Sequence, residues 1–106
     1  MGQVAHQEAV LWTTSRYASP ETKKKAQSLA GRAGSRYLAR GKKTMDDIAG
    51  FARRSGFGLI MLLEESDGHP SLIRSIGISP DGRWRWAGVL KVENYEGRQK
   101  DEKYES

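Results

Sequence analysis

Cysteine is absent from the chain, and this one absence removes several kinds of chemistry. Without thiols there are no disulfides, thiolate zinc sites, iron–sulfur clusters or cysteine nucleophiles. Histidine is scarce as well, because only His6 and His69 occur and they lie far apart in sequence. The sequence therefore predicts neither a structural metal nor a bound cofactor.

Long hydrophobic runs are also missing. No stretch approaches the roughly 18 uncharged apolar residues that a membrane-spanning helix requires. The first six residues lack the basic and apolar regions of a signal peptide, so we expect a soluble, cytoplasmic protein. A length of 106 residues predicts one domain, which we place at residues 8–92 between a flexible segment at 1–7 and a disordered charged tail at 93–106.

Catalytic and nucleotide-binding motifs are lacking too. Ser15 has no Gly-x-Ser-x-Gly context, and the pair Asp46-Asp47 is explained by capping of the helix that follows Thr44. There is no Walker-type phosphate loop. Gly31-Arg-Ala-Gly34 matches the Gly-x-x-Gly loop of KH domains, but the segment after it is predicted to be a strand. The sequence predicts that the protein is not an enzyme.

Positive charge, in contrast, is abundant and unevenly placed. The net charge is +5, yet residues 16–54 alone hold eleven Lys/Arg against three acids, a balance of +8. Residues 55–106 hold seven Lys/Arg against nine acids. Charge concentrated in this way is typical of a protein that binds a polyanion such as nucleic acid.

Hydrophobic periodicity and turn residues predict seven elements in the order β-α-β-α-β-β-β. We expect a mixed sheet with both helices packed on one face. The two helices have apolar stripes and N-caps at Ser19 and Thr44, and Gly31 and Gly56 are the predicted stops. The predicted strands are 8–13, 35–39, 58–65, 72–78 and 83–92, and the predicted helices cover about 20–30 and 45–54.

Tryptophan and arginine alternate in Arg83-Trp-Arg-Trp86, so that each type shares one face of the last strand. Exposed tryptophans would be able to stack on unpaired bases. The alternative, which the sequence favours, is that Trp84 and Trp86 cover the core while the arginines face water.

Hydroxyls and cations collect where the first strand passes into the first helix, and a second basic group follows in the turn that starts at residue 40. This combination suits a phosphate-bearing partner better than a small apolar ligand. The candidate RNA-binding residues are Thr14, Ser15, Arg16, Lys23, Lys24, Lys25, Arg36, Arg40, Lys42 and Lys43.

Two of these stretches also carry a family resemblance. Leu11-Trp-Thr-Thr-Ser-Arg16 before a basic helix, and Arg40-Gly-Lys-Lys-Thr-Met-Asp-Asp-Ile48, resemble the opening of the Brix domain of ribosome-biogenesis proteins. The apolar strand 59–63 and the segment 70–76 continue the resemblance, which covers residues 8–92 and is nearest to short archaeal members.

The resemblance implies an α/β fold of two similar halves, each like the anticodon-binding domain of class II aminoacyl-tRNA synthetases, of which this chain matches the N-terminal half. It also implies a non-enzymatic factor that binds ribosomal RNA or pre-rRNA, with ribosomal proteins or other assembly factors as further partners, and assists rRNA processing and subunit assembly. The alternative hypothesis is a protein-interaction module that docks a ribosomal protein or a second copy, as in a homodimer, through a strand edge or a tryptophan-bearing face.

Overall fold

The computed structural model describes residues 9–96, and the predictions for residues 1–8 and 97–106 lie outside this range. The predicted order β-α-β-α-β-β-β is confirmed. The elements are β1 (Val10–Thr14), α1 (Pro20–Arg32), β2 (Arg36–Tyr37), α2 (Met45–Arg54), β3 (Leu59–Ser66), β4 (His69–Ile78) and β5 (Trp84–Lys91). No helix within residues 9–96 is both long and apolar enough to cross a bilayer.

The five strands form one mixed sheet in the order β2-β1-β3-β4-β5, which confirms the prediction of a mixed sheet. β1 lies between β2 and β3 and is parallel to both. β3, β4 and β5 are joined by hairpins and pair antiparallel. The carboxyl ends of β1 and β2 therefore lie at the same edge of the sheet.

The prediction that both helices pack on one face of the sheet is wrong. α1 buries Leu29 against Trp12, whereas α2 buries Ile48 against Leu11, and successive residues of a strand point to opposite faces. The cause is the strand order: the chain crosses from β1 to β2 in one direction and from β2 past β1 to β3 in the other. Since both crossovers of parallel strands are right-handed, the two helices end on opposite faces.

The first helix has the predicted N-terminus and inward stripe but a later end. Ser19 accepts a hydrogen bond from the Thr22 amide as N-cap, and the buried residues are Thr22, Ala26, Leu29 and Ala30. Gly31 is not the stop, because the helix continues to Arg32 and Gly34 adopts a φ of +66°. The Ser35 amide donates to the Ala30 carbonyl (2.8 Å) and the Gly34 amide to the Gly31 carbonyl (3.1 Å), the two bonds of a Schellman motif.

The second helix follows its prediction closely. Thr44 and Asp47 form a reciprocal capping box, and Gly56, at a φ of +85°, ends the helix as expected. Ile48, Ala49 and Ala52 are buried against the sheet. This helix brings the residues just before it, Lys42 and Lys43, to the edge where β1 also ends.

Several boundaries differ from the predictions, and one of them is the start of β4, which lies at His69 in place of residue 72. β2 has only two residues in place of five, because only Arg36 and Tyr37 pair with β1. Residues 93–96, predicted to begin a disordered tail, instead belong to a helical turn at 92–96. Val92 is buried in this turn, and the Tyr95 ring meets Trp12 edge-on at 5.7 Å, so apolar burial holds it to the α1 side of the sheet.

Candidate nucleic-acid interface

A cavity of about 260 Å³ lies at the carboxyl end of β1. The β1–α1 loop forms one wall and the turn after β2 forms the other, and these loops lead to helices on opposite faces. Open α/β sheets bind ligands in such crevices at the carboxyl ends of their strands. We call this cavity the basic cleft, and its lining residues are Thr14, Ser15, Tyr17, Ala18, Lys23, Arg40, Gly41 and Lys42.

Arg40 fastens the two walls together. Its side chain is only 8% exposed. Nη1 donates to the Thr14 carbonyl at 2.8 Å, and Nε donates to the Lys43 carbonyl at 2.7 Å. Burial, together with the positive charge of Arg16, lowers the pKa of the Arg40 guanidinium. The structure thus places this candidate phosphate ligand inside the protein as a clamp between β1 and the following turn.

Arg16 makes a second tie across the cleft. Its Nη2 donates to the Lys42 carbonyl at 2.9 Å, although its side chain is exposed. Arg16 and Lys43 also act on Asp47, whose pKa is lowered first by the hydrogen bond from the Thr44 backbone and then by the Thr44 hydroxyl and these two cations. The loops therefore have fixed positions without using the ammonium groups of Lys23 and Lys42.

The N-terminus of α1, which would otherwise attract an anion, already has one from the protein itself. Glu65 Oε1 accepts from the Thr22 hydroxyl at 2.6 Å and from the Ser19 amide at 3.0 Å. These bonds, that from Thr22 foremost, lower the pKa of the Glu65 carboxyl. An external phosphate in the cleft would consequently be held by side chains of its walls.

The ten predicted binding residues do not form one cluster. Thr14, Ser15, Lys23, Arg40 and Lys42 line the cleft, and Arg16 and Lys43 lie beside it.

The other three predicted binding residues lie elsewhere on the surface. Lys25 pairs with Glu96 at 2.8 Å and lines a different cavity. Arg36 lies over the Phe51 ring on the α2 side, with its Cζ 5.4 Å from the ring centre. Lys24 is exposed on α1.

Tyr17 is a cleft residue that the sequence reasoning missed. Its side chain is 85% exposed, and its φ of +58° lies in the left-handed region that non-glycine residues seldom adopt. No composition or spacing rule predicts this conformation, since it follows from contacts made by the residues on either side. The only available signal was an aromatic residue directly after Arg16.

The two tryptophans of β5 differ in their environment, since one packs against the core and the other is exposed. Trp84 packs against the α2-side core and donates its indole N–H to Asp46 at 2.8 Å. Trp86 is 53% exposed, so its assignment to the core is wrong. Arg74 lies over its ring at 5.2 Å and is itself paired with Glu64 at 2.9 Å.

Known proteins with solved structures resemble this chain in fold. No protein-family model matches the sequence, and no curated protein matches it. A probable ribosomal biogenesis protein from Aeropyrum pernix K1 superposes with a TM-score of 0.72 at 27% identity over 81% of this chain. Mil, an archaeal Imp4-like protein, superposes with a TM-score of 0.62 at 32% identity over 76% of this chain.

This chain spans about half the length of each neighbour, 48% of the first and 49% of the second. The likeness lies in fold and in sequence together, and it supports the Brix-type family that the motifs at residues 11–16 and 40–48 suggested.

Proposed function

We propose that this chain is a ribosome-biogenesis factor that binds ribosomal RNA through the basic cleft. The observation that carries the proposal is the convergence of Ser15, Lys23 and Lys42 around one cavity at the end of β1. Hydroxyl and ammonium donors around a cavity match the oxygen atoms of a phosphodiester. The neighbour named as a ribosomal biogenesis protein supports ribosomal RNA as the source of that phosphate.

Different side chains have different tasks in this proposal. Lys23 and Lys42 contact phosphate oxygens, and the Ser15 hydroxyl donates to one of them. Arg40 and Arg16 hold the two loops at the right separation through the carbonyls of Thr14 and Lys42. Lys24 and Lys43 raise the local positive potential and speed the encounter with RNA.

The protein acts without catalysis in this role, as a cytoplasmic factor that assists rRNA processing and subunit assembly by occupying an RNA site. Contacts to the sugar-phosphate backbone position a protein on RNA and carry little sequence information. We further propose that the chain corresponds to one half of its longer neighbours, in line with the share of their length that it spans.

The experiment is fluorescence anisotropy of labelled rRNA fragments from low to moderate salt, with the Lys23→Ala/Lys42→Ala double variant beside the wild type. Each phosphate contact contributes about −0.7 to the slope of log K against log salt for single-stranded nucleic acid. We expect the double variant to bind more weakly and its slope to flatten by about 1.4.

A charge-matched control is the Lys25→Ala/Lys91→Ala variant, because both lysines line another cavity. We expect it to keep most of the affinity and nearly all of the slope. Equal losses in the two double variants would show that net charge drives binding and that the basic cleft does not. Absence of binding at low salt would overturn the proposal.

A second candidate function rests on β5. This strand forms an edge of the sheet and is exposed along most of its length, including Trp86 and Val89, the latter 56% exposed. An uncovered edge strand offers unpaired backbone donors and acceptors to another chain. A second copy pairing edge to edge through β5 would add strands to the sheet and place cross-strand neighbours beside both side chains.

Sedimentation velocity across a concentration series tests this, with Val89→Lys as the disrupting variant. Concentration-dependent dimers that Val89→Lys abolishes would support the docking role. A monomer at all concentrations would exclude self-association through this edge.

A further inference from the structure

Tyr17 has a conformation that costs free energy and a side chain that recovers almost none of it by burial. A non-glycine residue in the left-handed region is strained, and the Tyr17 ring is 85% exposed. The ring therefore contributes little to the hydrophobic core. A strained, exposed aromatic residue is found where surrounding structure enforces it, and such positions concentrate at ligand sites.

The surrounding structure does enforce it. On one side, the Ser15 amide donates to the Leu63 carbonyl at 3.0 Å and Arg16 is tied to the Lys42 carbonyl. On the other side, Ala18 is buried, and the amide of Ser19 donates to Glu65. With both flanks anchored, the single residue between them has to complete the turn, and the ring is held beside the basic cleft.

The same cavity is lined by Tyr17, Lys23, Lys42 and Ser15. An aromatic ring offers a stacking surface to a base, while cations and a hydroxyl suit the adjoining phosphate. A volume of about 260 Å³ lies just below the usual range for small-ligand sites and suits one nucleotide unit better than a stretch of duplex.

We infer that Tyr17 stacks on an unpaired base whose phosphate is held by Lys23 and Lys42, so that the basic cleft selects single-stranded over double-stranded RNA. The inference rests on the proposed RNA-binding function and adds the class of RNA. Bases in an A-form duplex have both faces stacked on neighbours and are unavailable to a side chain. The Tyr17 ring therefore provides the preference for single-stranded RNA, and Lys23 and Lys42 provide affinity for RNA of either kind.

The test measures anisotropy of a short single-stranded RNA and of the duplex with the same sequence, using wild type, Tyr17→Ala and Tyr17→Phe. Loss of a base-stacking ring weakens binding about 5- to 150-fold. We expect that loss for Tyr17→Ala on the single strand, little change on the duplex and an unchanged salt slope. Tyr17→Phe keeps the stacking surface and should keep the affinity.

A third variant separates binding from folding. Glycine adopts a φ of +58° without strain, so Tyr17→Gly should raise the melting temperature while binding single-stranded RNA as poorly as Tyr17→Ala. A single-stranded RNA carrying 2-aminopurine reports stacking directly, because its fluorescence is quenched by a stacked ring. We expect quenching with wild type and Tyr17→Phe and none with Tyr17→Ala.

The outcomes distinguish base stacking by Tyr17 from phosphate binding by the cleft. If Tyr17→Ala binds single strands as wild type does, or weakens single strand and duplex equally, base stacking by Tyr17 is refuted and the phosphate-binding role of the cleft survives. If wild type binds neither RNA at low salt, the proposed function fails and the inference fails with it.

Discussion

Replacement of Arg40 by alanine should make the domain easier to unfold, although its neighbours in this basic turn, Gly41 and Lys42, are exposed. Two hydrogen bonds from its guanidinium would vanish, to the Thr14 carbonyl at 2.8 Å and to the Lys43 carbonyl at 2.7 Å. Hydrogen bonds that involve a charged group are worth about 1.5–3 kcal/mol each.

Loss of these two hydrogen bonds does not lower the free energy of unfolding equally. Water can replace the bond to Lys43, which is partly buried, whereas the bond to Thr14 is buried and its carbonyl would lose a partner. We therefore expect Arg40→Ala to lower the free energy of unfolding by about 3 kcal/mol, toward the upper end of the range for single substitutions. With an m-value of about 1.5 kcal/mol per molar urea, the midpoint falls by about 2 M.

Urea unfolding followed by far-UV circular dichroism measures this change. Lys42→Ala is the control, because this exposed neighbour takes part in the fold through its backbone carbonyl, and its midpoint should stay within about 0.3 M of wild type. An Arg40→Ala midpoint equally close to wild type would refute the clamp. If that variant also failed to bind RNA, Arg40 would be a direct phosphate ligand, as the sequence alone suggested.

Two further predictions concern stability. Because its hydrogen bonds lower the pKa of Glu65 in the folded protein, this carboxylate stabilises the fold above its unfolded pKa, and that stabilisation is lost as the pH falls through the lowered value. The melting temperature of wild type should thus exceed that of Glu65→Gln at neutral pH and converge with it in acid, and a gap that stays constant with pH would contradict this assignment. For the end of α1, Gly34→Ala should destabilise by about 1 kcal/mol because of its φ of +66°, while Gly31→Ala, inside the helix with open space around it, should stabilise by about 0.5 kcal/mol. Thermal unfolding of the two variants checks this, and the opposite order would mean that the helix ends at Gly31.

The local parts of the fold could be predicted because local rules determine them. The capping box at Thr44, the N-cap at Ser19 and the inward stripe of α1 each depend on residues within one or two turns. Gly31 misled the prediction because Gly31 and Gly34 are equally good helix stops in the sequence, and only the hydrogen bonds to the Ala30 and Gly31 carbonyls select Gly34.

The arrangement of the helices and the content of the cleft depend on long-range contacts instead. Opposite placement of α1 and α2 follows from β1 lying between β2 and β3, which no stretch of sequence states. Charge concentration at residues 16–43 predicted a basic surface, and the structure places Lys23, Arg40 and Lys42 around the end of β1. The charge concentration gave no means to separate Lys23 and Lys42, at the cleft, from Arg40 as a clamp or Lys25 in an ion pair.

The bonds from Ser19 to the β3–β4 hairpin have a consequence for synthesis of the protein on the ribosome. Every lining residue of the cleft lies between positions 14 and 42, yet Ser19 is held by Glu65 and by the Gly68 carbonyl, 46 and 49 residues further along the chain. A nascent chain that has emerged as far as α2 thus contains all the basic side chains of the cleft. The β1–α1 loop that positions Lys23 is not yet held in place. The basic cleft is completed only when the hairpin emerges and β3 pairs beside β1, so the cleft is among the last parts of this domain to mature.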